Sequence, residues 1–183
     1  MIDHPWTWLR QVHGNAVITV TEPGEAAGFA GDAIVTATVG AAIAVHTADC
    51  APVLLLAEGA VGVVHAGWRG LAAGVIEAAA VALGDLGYPP RQAILGPCIR
   101  ARCYEFGTDE LDQVVDRYGP TVRSTTAWGS PALDVAAGVR AACAGLGVDL
   151  TDSAVCTACS SSHWSHRARA DSGRQALVAW IEP

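Results

Sequence analysis

The run from Ala41 to Gly67 constrains the fold most, because it is almost wholly apolar and is interrupted by only two short turns. It reads AAIAVHTADC followed by APVLLLAEGAVGVVHAG, and Glu58-Gly59 divides the second part as the two residues of a hairpin turn do. Successive strands this close together pair antiparallel, since a parallel pair needs a crossover of a dozen or more residues. A doubly wound parallel sheet is therefore not expected.

Other segments predict helices. Alanine and leucine dominate residues 71–87, which are predicted to form one helix ended by glycine. A second helix is predicted to open at Thr108 and Asp109, which would cap it, and to end at Gly119; a third covers 134–147. With these three helices and seven or more strands, many of them adjacent, the chain is predicted to have a mixed α+β fold.

The further strands have clear apolar patterns. They are predicted at 16–20, 32–39, 41–49, 93–99 and 176–181. The strands at 32–39 and 41–49 are predicted to form a hairpin through Gly40.

Composition limits the size of the protein and its partners. The 183 residues are 51% hydrophobic and 16% charged, which suits a single domain over 1–183 with a sizeable core. The net charge is -7, which repels phosphate backbones, so no nucleic-acid partner is expected. All eleven basic residues are arginine, which excludes lysine Schiff bases, lysine general bases and a P-loop lysine.

No targeting or membrane segment is evident. The start, MIDHPWTWLRQVHG, lacks the basic and apolar regions of a signal peptide, and the apolar runs are too short to span a bilayer. We expect a cytoplasmic protein, monomeric or homodimeric, with no membrane partner.

Cys50 and His65 are the strongest candidates for chemistry, because each follows an apolar run at a polar turn. With one more histidine they would make a three-ligand metal site with one open position, as catalytic zinc requires. Either His13 or His46 can supply that ligand, and spacing alone does not choose between them. Copper is a less suitable metal, because six scattered histidines without an HxH pair do not form a multicopper cluster.

The HAGWRG turn is a candidate anion site. Gly67 and Gly70 flank the start of a helix, and Arg69 adds a guanidinium suited to phosphate or carboxylate. The same pattern also fits an ordinary turn from strand to helix. Asp49, which precedes Cys50, is a candidate proton acceptor or partner of a histidine.

Four other cysteines are arranged as two pairs, Cys98 with Cys103 and Cys156 with Cys159. They can be read as a four-cysteine structural zinc site, but their spacing is an imperfect match to a zinc ribbon. Buried free thiols are the favoured reading. Disulfides are not expected in a chain without a secretion signal.

The segment SHWSHRARADSGRQA near the C-terminus is rich in basic residues and is predicted to be a loop. It gathers His163, His166, Arg167, Arg169 and Arg174. It is either a solvated basic loop or a second wall of a cleft that binds an anionic substrate.

Several motifs, taken in order, resemble the YfiH/laccase-domain family over nearly the whole chain. They are RQVHG, TADCAPVLL, VVHAGWRG, LGPCI, CYEFG, VCT and SHRARADSGRQA, of which TADC and HAGWRG are the most specific. The family has been described first as multicopper polyphenol oxidoreductases and later as purine nucleoside phosphorylases. Members usually carry a further segment before QVHG, which here begins at Gln11, and FFSHRRDG is replaced by HWSHRARADSG, in which His166 and Arg167 still match.

The resemblance implies a compact α/β/β/α layered domain and a zinc site formed by His13, Cys50 and His65, which favours His13 over His46. It implies phosphorolysis of adenosine, inosine and methylthioadenosine, with adenosine deamination alongside, so a nucleoside and phosphate are the expected partners. Arg69 and Gly70 are then expected to hold the phosphate.

Other functions use the same residues differently. A cysteine hydrolase or amidase would use Cys50 as nucleophile and His65 as base. A polyphenol oxidase-like protein or a non-catalytic metal-binding relative is also compatible with the motifs.

Overall fold

The computed structural model describes residues 5–182. Its eleven strands are β1 (Trp6–Trp8), β2 (Val17–Val20), β3 (Ala33–Thr36), β4 (Ala42–Thr47), β5 (Ala51–Ala57), β6 (Ala60–Ala66), β7 (Gln92–Leu95), β8 (Arg123–Thr125), β9 (Pro131–Leu133), β10 (Asp149–Asp152) and β11 (Gln175–Ala179). Its helices are α1 (Trp68–Ala73), α2 (Val75–Asp85), α3 (Thr108–Tyr118), α4 (Val135–Leu146) and α5 (His166–Arg169). Short 3₁₀ turns occupy Ala101–Cys103 and Pro120–Val122.

Six strands form the central sheet, in the order β10-β7-β5-β6-β3-β2. The pairs of β5 with β6 and with β7, and of β3 with β6, are antiparallel, whereas the two edge pairs are parallel. The β5–β6 hairpin turns at Glu58-Gly59, and Ala57 pairs with Ala60, so the predicted hairpin is confirmed. The mixed α+β class is confirmed as well.

Helices α1 to α4 share a core with one face of this sheet. Alternation along the strands produces that face: Ala60, Val64 and Ala66 of β6 point toward the helices, and Val61 and Val63 point the other way. Burial of these aliphatic side chains on both faces explains why β5 and β6 are apolar almost throughout.

A three-stranded sheet, ordered β1-β4-β11, packs on the other face. Ile43 and Val45 of β4 meet Ile34 of β3 and Val63 of β6 in a second core. His65 follows Val63 by two residues, so it lies on this side of the central sheet, between the two sheets and at the strand end.

The hairpin predicted through Gly40 is wrong. β3 pairs with β2 and β6 in the central sheet, whereas β4 pairs with β1 and β11 in the small sheet. The left-handed turn at Gly40 (φ 78°) carries the chain from one sheet to the other. Both strands are buried on both faces. Stacking of the two sheets buries Ile34 of β3 against Ile43 of β4, whereas pairing of β3 with β4 side by side in one sheet would not.

The predicted helix at 71–87 begins earlier and is broken. It starts at Trp68 and is interrupted at Gly74, whose left-handed conformation (φ 79°) ends α1 and begins α2. The left-handed backbone favours glycine there, and the guanidinium of Arg117 lies where a Cβ would be.

The other two predicted helices are present. The helix predicted from Thr108 is α3, but Gly107 is its N-cap and makes no side-chain capping bond, so capping by Thr108 and Asp109 is wrong. Asp134 caps α4 by accepting a hydrogen bond from Ala137 N–H, and Gly147 ends it.

Two further differences lie in short elements. The basic segment predicted as a loop contains the four-residue α5, whose N-cap Ser165 accepts a hydrogen bond from Ala168 N–H. Strands β8 (RST) and β10 (DLTD) are mostly polar, and β1 and β9 have three residues each, too few to show alternation. Between residues 5 and 182, none of the helices has the length and apolarity needed to cross a bilayer.

Candidate metal centre and its cavity

His13, Cys50 and His65 come together at one edge of the two stacked sheets. One ligand atom from each lies within 4.8 Å of the other two, and His13 Nε2 is 3.9 Å from Cys50 Sγ. His65 is near the end of β6, Cys50 directly precedes β5, and His13 lies in the loop between β1 and β2. We call these three residues the His–Cys–His cluster.

Asp32 organises two of the three residues, and sequence reasoning missed it. Its buried carboxylate accepts a hydrogen bond from His65 Nδ1 at 2.8 Å and from His13 N–H at 2.9 Å. It also accepts from the N–H groups of Val12 and Gly14. Because Nδ1 of His65 is engaged, its Nε2 is free to act as a ligand, and the loop that carries His13 is fixed in its left-handed conformation (φ 59°).

Gly67 allows the three side chains to approach one another. A Cβ on Gly67 would lie 2.8 Å from His13 Cδ2 and 3.3 Å from Cys50 Sγ. The rings of His13 and His65 meet edge to face with centroids 4.8 Å apart. The role of Gly67 is therefore to make room at the cluster.

The electrostatics of the cluster favour a thiolate. Burial by itself would raise the pKa of Cys50, but hydrogen bonds from His13 and His65 outweigh it and lower the pKa to about 6. Burial would lower the pKa of His65, but its bonds to Asp32 and Cys50 raise it to about 9. Asp32 has a lowered pKa, because bonds from His65, Gly14 and His13 outweigh its burial.

These donors fit a zinc ion. Two imidazole nitrogens and one thiolate sulfur are a ligand set that zinc accepts, and three protein ligands leave a fourth position for substrate or water. The hydrogen bond from His65 to a buried carboxylate is the support that metal-binding histidines usually have. His46, the alternative ligand, is exposed and lies outside the cluster.

The cluster opens into a cavity of about 530 Å³. The cavity is lined by Leu9, Gln11, His13, His46, Thr47, Ala48, Asp49, Cys50, His65, Tyr104, His166, Arg167 and Arg174. Its volume is within the usual range for small-molecule sites. Three of these lining residues, His166, Arg167 and Arg174, are basic and belong to the C-terminal segment; we call them the cationic wall of the cavity.

Arg167 is held in that wall by three contacts. Its N–H donates to Asp49 Oδ2 at 2.7 Å, its Nη1 donates to Glu105 O at 2.9 Å, and its guanidinium lies 4.8 Å from the ring centre of Tyr104. Burial raises the pKa of Tyr104 to about 12, so its hydroxyl stays protonated at neutral pH.

Asp49 anchors the C-terminal segment and does not bond a histidine. Its two carboxylate oxygens accept from Thr157 Oγ1 at 2.6 Å and from Arg167 N–H. The prediction that Asp49 orients a histidine is therefore wrong, and Asp32 has that role. The proton-accepting role predicted for Asp49 stays a prediction.

The predicted anion site at HAGWRG lies outside the cavity lining. Arg69 is exposed and stacks on the ring of Trp68, with 4.3 Å between its Cζ and the ring centre. Gly70 packs against the backbone of the His13 loop, where a Cβ would lie 2.9 Å from Gly14 O. The turn packs against the His–Cys–His cluster and its loop, and the basic side chains that line the cavity come from the C-terminal segment.

Thr47 is a further residue that sequence reasoning missed. It lines the cavity, and its buried hydroxyl has no hydrogen-bond partner among the described residues. A buried polar atom without a partner is unfavourable, and a polar group of a ligand would relieve that.

The remaining cysteines divide into two sets. Cys98 and Cys143 are buried in the helix-side core, where burial raises their pKa values to about 12 and about 11. The prediction of buried free thiols for the two cysteine pairs is confirmed for Cys98 and is wrong for Cys159, which is exposed. Cys103, Cys156 and Cys159 instead form a second group, with their sulfur atoms within 4.8 Å of one another.

Helices on a central sheet, a second stacked sheet and a His–Cys–His cluster at their edge define an α+β protein of the YfiH-like class. Residues 1–182 match the family described as multi-copper polyphenol oxidoreductase laccase. The chain belongs to that family.

Similar proteins agree with this membership. The chain is 43% identical to purine nucleoside phosphorylase SCO2081 of Streptomyces coelicolor and 44% identical to purine nucleoside phosphorylase ORF3 of Streptomyces griseus, covering 96% of this chain and 74% of each relative. The crystal structure of the hypothetical protein YfiH from Bacillus licheniformis superposes with a TM-score of 0.87 at 25% identity, covering 97% of this chain and 74% of that one.

Proposed function

We propose that this protein is a zinc-dependent purine nucleoside phosphorylase acting on adenosine, inosine and methylthioadenosine. The observation that carries the proposal is that the His–Cys–His cluster and the cationic wall line the same cavity. A phosphorylase must hold an anion and a neutral nucleoside together, and the two sides of this cavity suit those tasks. The names of the relatives point to the same activity.

Zinc would be held by His13, Cys50 and His65, with Asp32 fixing the orientation of His65. When bound, zinc supplies a Lewis acid that polarises a substrate oxygen or a water molecule. Clearance at Gly67 keeps the ligand atoms close enough to share one ion.

His166, Arg167 and Arg174 would bind the phosphate from the cationic wall. In phosphorolysis a phosphate oxygen forms a bond to C1′ of the ribose while the C1′–N9 bond breaks. The electron pair of that bond stays on the purine, which takes up a proton. Arg167 suits phosphate positioning because Asp49 and Glu105 already fix its backbone and guanidinium.

The hydroxyl of Thr47 would bind a polar group of the nucleoside. It lines the cavity and lacks a partner among residues 5–182, so a ribose hydroxyl would satisfy it at no cost to another bond. Tyr104 adds an aromatic face and a protonated hydroxyl to the same cavity.

The test is to incubate wild type and Cys50→Ala with inosine or adenosine, with and without phosphate, and to measure free base and bound zinc together. Wild type should release base only with phosphate, and Cys50→Ala should lose both zinc and base release. Cys143→Ala, which changes a cysteine far from the cavity lining, is the control. Unchanged base release in Cys50→Ala would refute the site. Conversion of adenosine to inosine in the same assay reports the deaminase activity that we propose alongside.

A cysteine hydrolase or amidase is the second candidate, because Asp32, His65 and Cys50 stand in the order of a nucleophilic triad. It differs from the first proposal in its need for metal. Hydrolysis of an amide by metal-free protein, abolished by alkylation of Cys50, would favour the hydrolase and reject the zinc enzyme.

A further inference from the structure

Three free thiols form a second group that shares no residue with the His–Cys–His cluster. Cys103 Sγ and Cys159 Sγ are 3.3 Å apart, and Cys156 Sγ lies within 4.8 Å of both. Cys103 and Cys156 are half-buried and Cys159 is exposed. We call these three residues the thiol cluster.

The sulfur spacing suits one tetrahedral ion. Zinc–sulfur bonds of about 2.3 Å at tetrahedral angles separate the sulfur atoms by about 3.8 Å. The distances in the thiol cluster, from 3.3 Å to at most 4.8 Å, bracket that value. The three sulfur atoms are therefore close enough together to share one zinc ion.

The backbone that carries these thiols is already fixed. Cys103 ends the 3₁₀ turn that begins at Ala101, and its N–H donates to Arg100 O. Cys156 pairs with Cys98 in a parallel bridge, and its carbonyl accepts from the N–H of Cys159 at 3.2 Å. Three ligands on two preorganised turns lose little conformational entropy when they bind a metal.

Nearby groups hold the two turns against each other. Arg100 reaches across to Asp152 with two hydrogen bonds, at 2.8 and 2.6 Å. Arg169 donates to the carbonyl of Ala158, within the turn that carries Cys159. These contacts come from outside the thiol cluster and leave its sulfur atoms available.

We propose that Cys103, Cys156 and Cys159 bind a second zinc ion, with solvent at the fourth position beside the exposed Cys159. Thiolates are the ligands that zinc prefers in structural sites. Of the four cysteines paired in the sequence, Cys98 is excluded because it packs in the helix-side core.

The second ion would brace the cationic wall of the cavity. It would tie Cys103, which is followed directly by Tyr104, to the turn at Cys156–Cys159. Thr157 in that turn bonds Asp49, and Asp49 in turn bonds Arg167. Its role is structural and does not depend on the proposed function of the His–Cys–His cluster.

The test is to measure zinc per chain by elemental analysis after reconstitution under reducing conditions. Wild type should hold two ions, Cys50→Ala one, Cys156→Ser one, and the double variant none. Replacing zinc with Co²⁺ in Cys50→Ala should give the thiolate-to-cobalt charge-transfer absorption, and Cys156→Ser in that background should remove it. Cys143→Ala is the matched control and should keep both ions.

Two results would overturn the proposal: one ion in wild type and none in Cys50→Ala, or no charge-transfer absorption from Co²⁺ in Cys50→Ala. Copper in place of zinc in the Cys50→Ala protein purified from cells supplied with both metals would overturn the choice of zinc, since thiolates also suit Cu⁺. If Cys156→Ser does not fold, Cys159→Ser replaces it, because Cys159 is exposed.

Discussion

The His–Cys–His cluster and the thiol cluster each bring together three candidate ligand atoms, but the two clusters are held in place by different contacts. In the first, one buried carboxylate, that of Asp32, accepts four hydrogen bonds and sets both histidines. In the second, the ligands lie on two turns braced by Arg100 and Arg169, and no carboxylate bonds a ligand atom among the described contacts.

The difference follows from the chemistry of the ligands. A histidine must present the correct nitrogen, so it needs a partner for the other one, whereas a thiolate sulfur accepts a metal from many directions. The His–Cys–His cluster should therefore fail when a residue that is not a ligand changes. The thiol cluster should fail only when a cysteine is replaced.

The largest expected effect is that of Asp32→Asn. The amide NH₂ would face N–H donors, so a buried polar group would be left unpaired beside His65. Breaking a buried charged pair in this way typically lowers the free energy of unfolding by about 3–5 kcal/mol. Zinc affinity at the His–Cys–His cluster should fall by about 10–100-fold or more. Urea unfolding and a competitive zinc titration measure both effects.

The control for Asp32→Asn is Asp149→Asn, which removes an exposed carboxylate at the start of β10. This control substitution should change the free energy of unfolding by no more than about 0.5 kcal/mol. If Asp32→Asn binds zinc at the His–Cys–His cluster as tightly as wild type, the role given to Asp32 is wrong.

Gly67→Ala should act next most strongly and on the same cluster. The added Cβ would lie 2.8 Å from His13 Cδ2, so His13 must move away from Cys50. We expect zinc affinity to fall by about tenfold, as for loss of a supporting contact, while the zinc content of the thiol cluster stays unchanged.

Gly84→Ala is the matched glycine control. A Cβ there meets nothing within 4 Å, and the residue lies inside α2. It should stabilise the protein by about 0.5–1 kcal/mol and leave zinc binding unaltered. Equal zinc affinities in the two glycine variants would contradict the clearance argument.

Asp49→Asn separates the metal from the cationic wall. The amide can still accept from Arg167 N–H and donate to Thr157 Oγ1, but both bonds lose the charge of the carboxylate and weaken, which loosens the wall and leaves His13 and His65 in place. Because the guanidinium of Arg167 would then be misplaced, we expect the KM for phosphate to rise by at least about tenfold. The zinc content should not change. Steady-state kinetics at varied phosphate is the measurement, and loss of zinc with unchanged KM would reverse the assignment.

Two residues of the His–Cys–His cluster, Cys50 and His65, could be picked out from the sequence pattern and the third, His13, only from the family resemblance, whereas the support of the cluster could not be predicted. Cys50 and His65 stand at the ends of apolar runs, and that position brings them to a sheet edge. Asp32 directly precedes the apolar strand AIVT, as many aspartates do, so nothing in the local sequence marks it as a partner of a histidine. Only the stacking of the sheets brings its carboxylate to His65, 33 residues away in sequence.

The fold divides in a similar way. The β5–β6 hairpin and the longer helices α2, α3 and α4 were predictable because two-residue turns and capping glycines act over a few residues. The separation of β3 from β4 was not, since Gly40 permits a hairpin as readily as a crossing between sheets. The basic wall depends on Asp49 holding Arg167, a contact that spans 118 residues.

The smallest expected effect is that of Asp152→Asn, which tests the bracing of the thiol cluster. Hydrogen bonds from Arg100 outweigh partial burial and lower the pKa of Asp152 below its ordinary value. Because the folded pKa is the lower one, the stabilisation is complete above about pH 4 and is lost as pH falls through the folded value. At neutral pH the free energy of unfolding of the variant should be lower than that of wild type by about 1 kcal/mol. This difference should shrink on acidification, and the variant should retain both zinc ions. Unfolding by urea at pH 7 and below pH 4 measures this difference. A difference in unfolding free energy that does not change with pH would contradict the ion pair. Loss of a zinc ion would mean that the thiol cluster also needs a carboxylate.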